Sequence, residues 1–562
     1  MVKRLFTFLN KEFNGMNEAA LLLGGFAFIS QILGLVRDRT LAYVIGAGPT
    51  LDIYYAAFRI PDFLYISVAS LASVTVLMPF VMDKINKNKG DAKEARNFLN
   101  NIFSVYILFM VVASVIVSIL MPYIARYIAP GFTPAQTTLL ITTSRIMLLS
   151  PIFIGLSNLI GTITQLFKNF FIFSLSPIFY NVGILIGIIL LYPYLGVKGL
   201  AYGVVIGAIM HLFIQVPTII RHNFLPKFVH KIKWDEIWKV MKLSLPRTLT
   251  LSCNSLAFIV LISIASTLKP GSISLFTFAF NLQSVPVGII GISYSVAAFP
   301  ILIKSFSLKD MDNFIRQIIS AARQIIFWSL PVIALLAVLR AQIVRVILGS
   351  NTFTWSDTRL TAASVALFII SLASQGLVLL FVRGYYAAGN TKKPLFINVF
   401  SSIMVVVFAY LFIYIFRTSP NVLVGLENLL RVKDVPGSIM LALPLAYAFG
   451  SLLNFFLIWI FFKIDFLNKG STMLWHTFRD SFLGALTMGV IAYSCLSLFD
   501  DVFNMSTGLG VFLQGFISGM IGISFGIFVL SLLKNEELAD LVKALSHKFW
   551  RSRFIAPEQS DL

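Results

Sequence analysis

The stretch Ile102-Phe-Ser-Val-Tyr-Ile-Leu-Phe-Met-Val-Val-Ala-Ser-Val-Ile-Val-Ser-Ile-Leu-Met121 decides the fold class, because it is a long apolar run without a single charge. A helix needs about 20 apolar residues to cross the hydrocarbon core of a bilayer. Backbone polar groups find no water in lipid, and a helix pairs them internally. The stretch therefore predicts a membrane-spanning helix.

The rest of the chain has the same character. Its 562 residues are 58% hydrophobic and 12% charged, with a mean hydropathy of +0.88. Soluble domains are about 45–50% apolar and about 25% charged, so a water-soluble fold is excluded. A net charge of +20 would suggest nucleic acid in a soluble protein. Here we expect the basic residues to orient the helices and meet anionic membrane lipids, without a nucleic-acid partner.

Further apolar stretches predict an all-α polytopic membrane protein with about fourteen transmembrane helices. The connections between them are too short for soluble domains. The predicted spans lie near residues 21–45, 52–82, 98–122, 138–163, 171–192, 198–220, 243–268, 273–303, 315–339, 360–387, 394–416, 437–462, 474–499 and 507–533.

Three pairs of short motifs indicate that spans one to six and seven to twelve are copies. The pairs are Pro177-Ile-Phe-Tyr-Asn181 with Pro394-Leu-Phe-Ile-Asn398, Leu200-Ala201-Tyr202 with Leu445-Ala446-Tyr447, and Ser73-Val74 before Pro79 with Ser295-Val296 before Pro300. Six is even, so both copies would cross the membrane in the same sense, as in many transporters. We predict six-helix bundles at 1–220 and 221–466, two extra helices at 467–533 and an amphipathic tail at 534–562.

Lys and Arg are concentrated in one set of alternate loops, which predicts that both termini are cytoplasmic. Lys84, Lys231 and Lys392 lie in these loops. The tail is predicted to lie on the membrane surface, because Leu538 and Leu545 recur at helical spacing beside Lys543.

The first two spans hold charge where charge is costly. The first contains Gln31-Ile-Leu-Gly34-Leu-Val-Arg37-Asp38-Arg39, and the second begins Asp52-Ile-Tyr-Tyr55-Ala-Ala-Phe-Arg59-Ile-Pro61-Asp62. A central Arg or Asp costs roughly 2.5–3.5 kcal/mol, so these side chains should face a wet cavity or one another. The spacing of 3, 4 and 3 residues from Asp52 to Asp62 stacks four side chains on one helical face. Two interpretations stay open: a cationic cavity for an anionic headgroup, or interhelical ion pairs that fix packing.

Nothing in the chain indicates a metal, a disulfide or a cofactor. The two cysteines lie in apolar segments, and the five histidines are far apart. A membrane enzyme would need carboxylates or histidines in a sizeable aqueous loop, so we expect a transporter and not an enzyme. Any driving force would come from an ion gradient or the membrane potential.

The same charged segments resemble the MviN/MurJ-type lipid II flippases of the multidrug/oligosaccharidyl-lipid/polysaccharide exporter superfamily. The matching stretches run in family order over roughly residues 20 to 400. They include Arg37-Asp38-Arg39 through Gly46-Ala47-Gly48 to Asp52, Ala57-Phe58-Arg59-Ile60-Pro61, Ala129-Pro130-Gly131-Phe132, Pro246-Arg247-Thr248, and Arg383-Gly384-Tyr385-Tyr386-Ala387 with Thr391-Lys392-Lys393-Pro394.

This resemblance implies export of the lipid-linked peptidoglycan precursor, a polyprenyl-pyrophosphate-linked saccharide, across the bacterial cytoplasmic (inner) membrane. It further implies a role in cell wall biogenesis and cell shape, alternating access, a cationic cavity in the N-terminal half, and a groove for the polyprenyl tail by the last two helices. The chain is expected to act as a monomer. Arg37, Asp38 and Asp52 match family cavity positions, and Arg59 keeps a basic position.

The chain departs from the family pattern at three arginine positions, which hold Gln31, Tyr65 and Asn281. Ser70-Leu71-Ala72 also replaces Glu-Gly-Ala in the second span. The loss of three cations weakens a pyrophosphate site, although Arg39 or Arg59 could compensate. Gln31 and Asn281 are therefore candidate cavity residues together with Arg37, Asp38, Arg39, Asp52 and Arg59.

Other functions stay open at this stage. Within the transporters, the alternatives are a flippase for another polyprenyl-linked oligosaccharide and a related drug antiporter. From other classes come a membrane enzyme and a non-transporting scaffold that has lost its cavity.

Overall fold

Helices occupy all fourteen predicted spans. The computed structural model describes residues 16–69, 74–87, 93–229, 231–467 and 473–550, and the regular elements in these ranges are helical. Eleven of the described helices are long and apolar enough to cross a membrane, and twelve if the pair Trp355–Ile369 and Leu372–Ala387, bent by 43°, counts as one span. The chain is an all-helical polytopic membrane protein.

Prolines and π-helical turns divide several spans of the first half. The first six spans consist of α1 (Met16–Val44); α2 (Pro49–Leu64), a π-helical turn (Tyr65–Ala69) and α3 (Val74–Lys87); α4 (Lys93–Ile128); α5 (Pro134–Met147) and α6 (Ser150–Leu166); α7 (Phe170–Ile186), a π-helical turn (Gly187–Leu191) and α8 (Tyr192–Leu195); and α9 (Val197–Phe213) with α10 (Val216–Arg221). Span two is thus not one continuous helix, and Ser70-Leu71-Ala72 and Ser73 lie outside the described residues.

The remaining spans follow the prediction with shifts of a few residues. They are α11 (Trp234–Ser266); α12 (Ser272–Pro286), a π-helical turn (Val287–Ile292) and α13 (Ser293–Ser307); α14 (Met311–Leu348); α15 (Trp355–Ile369) and α16 (Leu372–Ala387); α17 (Lys392–Thr418); α19 (Ala442–Phe466); α20 (Met473–Leu498); and α21 (Gly508–Leu532). A helix that hydropathy did not predict, α18 (Pro420–Leu430), lies in the loop before α19, and α22 (Glu536–Trp550) follows the last span.

The chain forms two compact units that do not follow its order. One comprises Met1–Leu282, Ile347–Ser364 and Thr391–Gly450, and the other Gln283–Val346, Val365–Asn390 and Ser451–Leu562. The division into bundles at 1–220 and 221–466, with extra segments at 467–533 and 534–562, stays a prediction.

Two details of local geometry favour the proposed duplication. The π-helical turns Tyr65–Ala69 and Val287–Ile292 lie in spans two and eight, and they begin 14 and 13 residues before Pro79 and Pro300. The paired asparagines also behave alike. Asn181 Nδ2 donates to the Pro177 carbonyl at 3.1 Å, and Asn398 Nδ2 donates to the Pro394 carbonyl at 2.8 Å.

Glycines let the helices of the first unit cross closely. A Cβ at Gly183 of α7 would collide with the backbone of Gly207 in α9, and one at Gly450 of α19 would collide with Val405 of α17. Small residues that allow close backbone approach are a common basis of helix association in membranes.

In the second unit, α22 is fastened by a buried carboxylate. Glu537 accepts hydrogen bonds from Thr477 Oγ1 and from Arg323 Nε of α14, both at 2.7 Å. Leu538 packs with Phe327, Met488 and Leu530. The beginning of the tail is therefore a helix docked on this unit, and residues 551–562 lie outside the described residues.

We expect Gly183→Ala to destabilise the protein by about 1–3 kcal/mol, because the new methyl group overpacks the crossing of α7 and α9. Gly425→Ala is the control, since a Cβ there meets nothing within 4 Å and alanine favours a helix by about 0.5–1 kcal/mol. The measurement is the thermal unfolding midpoint of the purified protein in detergent. A Gly183→Ala midpoint equal to that of the control would contradict the close crossing.

We expect Arg323→Gln to release α22, measured as faster hydrogen exchange of its backbone amides. Although burial acts in the opposite direction, the hydrogen bonds from Thr477 and Arg323 lower the pKa of Glu537 below its usual 4.5. The Glu537 carboxylate therefore stabilises the docked α22 at neutral pH. This stabilisation is lost only as the pH falls through the lowered folded-state pKa. Arg417→Gln, at an exposed arginine of α17, should leave the exchange unchanged.

Candidate functional site

Arg37 and Asp38 form an ion pair on α1. Arg37 Nη2 and Nε donate to Asp38 Oδ1 at 2.8 and 3.0 Å. The Asp38 side chain is 4% exposed and the Arg37 side chain 24% exposed. The Asp38 carboxylate is thus buried in the protein interior, while about a quarter of the Arg37 side chain remains accessible.

Two asparagines from distant spans complete this cluster. Asn281 Nδ2 of α12 donates to Asp38 Oδ2 at 2.9 Å, and Arg37 Nη1 contacts Asn181 Oδ1 of α7 at 3.4 Å. Both carboxylate oxygens of Asp38 therefore have a donor, as a buried charge requires. The cluster connects three helices of the first unit, and three predicted site residues meet in it.

Asp52 lies at a different place, where it caps the start of α12. Its Oδ2 accepts from the Gly271 backbone N–H at 2.6 Å, and its Oδ1 accepts from the N–H and hydroxyl of Ser274 at 2.8 and 2.5 Å. Unpaired N–H groups and the helix dipole make a helix N-terminus a favourable site for a carboxylate. Asp52 is buried, and its observed bonds connect α2 to α12.

Arg59 retains most of its hydrogen-bonding capacity. Its Nε donates to the Tyr55 carbonyl at 3.1 Å, and its guanidinium lies 4.7 Å from the ring centre of Phe258 on α11. A guanidinium has five N–H donors. Four of these have no hydrogen-bond partner among the described residues, so Arg59 can donate to an added ligand.

Arg39 and Gln31 do not join the cluster. Arg39 is exposed and its Nη1 donates to the Ile347 carbonyl at 3.2 Å, at the C-terminal end of α14. A cation is favourable at that end of a helix. Gln31 is exposed, two turns before Asp38, and none of the hydrogen bonds of the described residues involves it.

The predicted residues thus divide into a cluster of Arg37, Asp38 and Asn281, a cap at Asp52, and a separate cation at Arg59. The contributions of Asn181, Ser274 and Phe258 were missed by sequence reasoning. Asn181 gave one signal, its place in the repeated motif, and the other two are a small polar and an aromatic residue of common types. The Arg37–Asp38 ion pair connects helices and leaves some N–H groups of Arg37 without a partner among the described residues, so both interpretations of the charged residues stay open.

The sequence of the chain is similar to those of known proteins. The family profile described as "Lipid II flippase MurJ" matches residues 41–513. A "Probable lipid II flippase MurJ" of Buchnera aphidicola subsp. Baizongia pistaciae is 27% identical over 396 residues, which cover 69% of this chain and 76% of that protein. The "Lipid II flippase MurJ" of Burkholderia cenocepacia is 24% identical over 404 residues, 70% of this chain and 78% of that protein.

Solved structures agree on the fold. The structure titled "Lipid II flippase MurJ, inward closed conformation" matches with a TM-score of 0.70 and 22% identity, over 93% of this chain and all of that chain. An inward-facing multidrug resistance MATE family transporter of the MOP superfamily matches with a TM-score of 0.60 and 16% identity, over 79% of this chain and 96% of that chain.

We expect Asp52→Asn to destabilise the protein by about 1–3 kcal/mol, because the amide cannot accept all three hydrogen bonds and leaves a buried donor unpaired. The thermal unfolding midpoint in detergent measures the loss. Asp434→Asn serves as the control, since Asp434 is exposed in a loop. Equal midpoints for both variants would show that the cap contributes nothing.

Proposed function

The chain belongs to the MurJ family of lipid II flippases, which are membrane transporters, and on that premise we propose that its own substrate is lipid II. It would carry this lipid-linked peptidoglycan precursor from the inner to the outer leaflet by alternating access. The protein is a multi-pass membrane protein of a bacterial family. We further propose that both termini are cytoplasmic, that the membrane is the cytoplasmic one, and that the protein acts as a monomer.

The observation that carries this proposal is the set of uncommitted guanidinium donors in the first unit. Arg37 uses three of its five N–H groups on Asp38 and Asn181, and Arg59 uses one on Tyr55. Within the described residues, the other N–H groups have no partner. Guanidinium groups bind phosphate oxygens through paired donors, so these two arginines can hold the pyrophosphate of a lipid-linked saccharide.

Asp38 and Asp52 would then act by positioning. Asp38 offsets one positive charge of the site and holds the Arg37 guanidinium in place. Asp52 holds the start of α12, which carries Asn281 to Asp38. Arg39, which is bonded to the end of α14, would take no part in binding.

A second candidate substrate is another polyprenyl-linked saccharide. It is favoured by Asn281, which is neutral and donates to Asp38. A cation at this position would add positive charge to the site. With fewer cations, the site favours a headgroup that carries less negative charge or one that is held by its sugars.

The test supplies this chain to bacteria that are depleted of their own lipid II flippase. We expect the wild-type chain to restore growth and cell shape. Arg59→Gln and Arg37→Gln should abolish the rescue at equal membrane levels, because each removes phosphate donors.

Arg39→Gln is the matched control, because it removes the same charge from the same helix as Arg37→Gln without touching the cluster. It should rescue like the wild type. Failure of the well-expressed wild-type chain would assign the second substrate class. Full rescue by both Arg37→Gln and Arg59→Gln would contradict the site itself.

A further inference from the structure

A cavity of about 260 Å³ lies inside the first unit, among α2, α5, α6, α7 and α9. Much of its wall is apolar, and it is large enough for several water molecules. Four titratable side chains face it: Asp62, Tyr65, Tyr180 and His211. None of them belongs to the arginine site described above.

Asp62 faces this cavity without a protein partner. Among the described residues, no hydrogen bond or ion pair reaches its carboxylate. Arg59 and Arg37 act on it only through space. Arg37 is already paired with Asp38, and Arg59 lies against Phe258. An ionised carboxylate in the interior of a membrane protein is costly unless something neutralises it.

His211 lines the same cavity, and a neighbouring hydroxyl holds one of its two ring nitrogens. Ser157 Oγ donates to the His211 carbonyl at 2.9 Å and accepts from Gln215 Nε2 at 2.6 Å. His211 Nδ1 lies 2.7 Å from the same Oγ, and which of these two atoms donates depends on the tautomer of the ring. Where Nδ1 carries the hydrogen, Nε2 keeps a free lone pair, and it has no partner among the described residues.

We propose that this cavity is a proton-binding site of the transport cycle, with Asp62 as the group that takes up the proton and His211 as a second acceptor on the same cavity wall. The proton passes from cavity water to a carboxylate oxygen of Asp62 and returns to water. Only O–H bonds form and break, and no other reactant is needed. Ser157 and Gln215 are positioning residues, because they fix the His211 ring.

The groups around the cavity favour a proton over a metal ion. The elements α2 and its π-helical turn contribute Asp62 and Tyr65, with Arg59 one turn before Asp62. Helix α7 adds Tyr180, α9 adds His211, and α5 and α6 add no titratable group to the wall. No set of three His, Cys, Asp or Glu side chains able to hold a metal occurs in the described part of the chain.

Protonation here would act on the arginine site through Arg59. The two residues are three positions apart on one helix, so the charge of Asp62 offsets the field of Arg59. Loss of that charge leaves Arg59 more strongly attractive to phosphate. This link rests on the proposed function, whereas the proton site itself does not.

The experiment is an infrared pH titration of the full-length protein in lipid nanodiscs without substrate. We expect a carboxyl C=O signal that titrates in the wild type and is lost in Asp62→Asn. It should return in Asp62→Glu. His211→Gln should shift its midpoint, because it removes the second acceptor from the wall of the same cavity. Asp501→Asn, at an exposed loop residue, should keep the wild-type signal.

Two results would overturn the proposal. One is a titrating carboxyl signal that is identical in the wild type and Asp62→Asn. The other is a signal that sodium removes at constant pH, which would make the cavity a sodium site. Since no substrate is present, either result leaves the lipid II proposal untouched, and failure of growth rescue leaves this titration untouched.

Discussion

The carboxylate of Asp52 at the start of α12 is the contact on which the rest of the first unit depends. It engages two backbone N–H groups and one hydroxyl across a separation of about 220 residues in sequence. Asn281 follows Ser274 by seven residues and thus lies on the same face of α12. The cap therefore sets where Asn281 meets Asp38, and with it the orientation of the Arg37 guanidinium.

Inside this unit, charged residues of the same type differ in whether they have a bonding partner. Asp38 and Asp52 have every carboxylate oxygen engaged, whereas Asp62 faces a cavity and bonds to none of the described residues. Among the arginines, Arg39 is bonded to a helix end and Arg59 keeps four donors. Because an unpaired charge is costly in a membrane, we expect the charged groups that lack a partner among the described residues to bind a ligand, a proton or water.

The internal repeat adds a second level of organisation. Spans two and eight both contain a π-helical turn, and Asn181 and Asn398 make the same bond to a preceding proline carbonyl. The two halves differ in their chemistry, since Arg37, Asp38 and the cavity at Asp62 belong to the first half, and the second half contributes the neutral Asn281 to the cluster. The proposed duplication would thus place most of the charged groups in one of the two copies.

Sequence alone determined the fold class and the spans, because an apolar run long enough to cross a bilayer is visible without any tertiary contact. It also located the costly charges in the first two spans and the face shared by Asp52, Arg59 and Asp62. It could not assign their partners. Asn281, Phe258 and His211 lie in other helices, and hydropathy carries no record of which helices pack together. Only the tertiary structure decided that Asp52 caps a helix, that Arg59 stays open and that Asp62 faces a cavity.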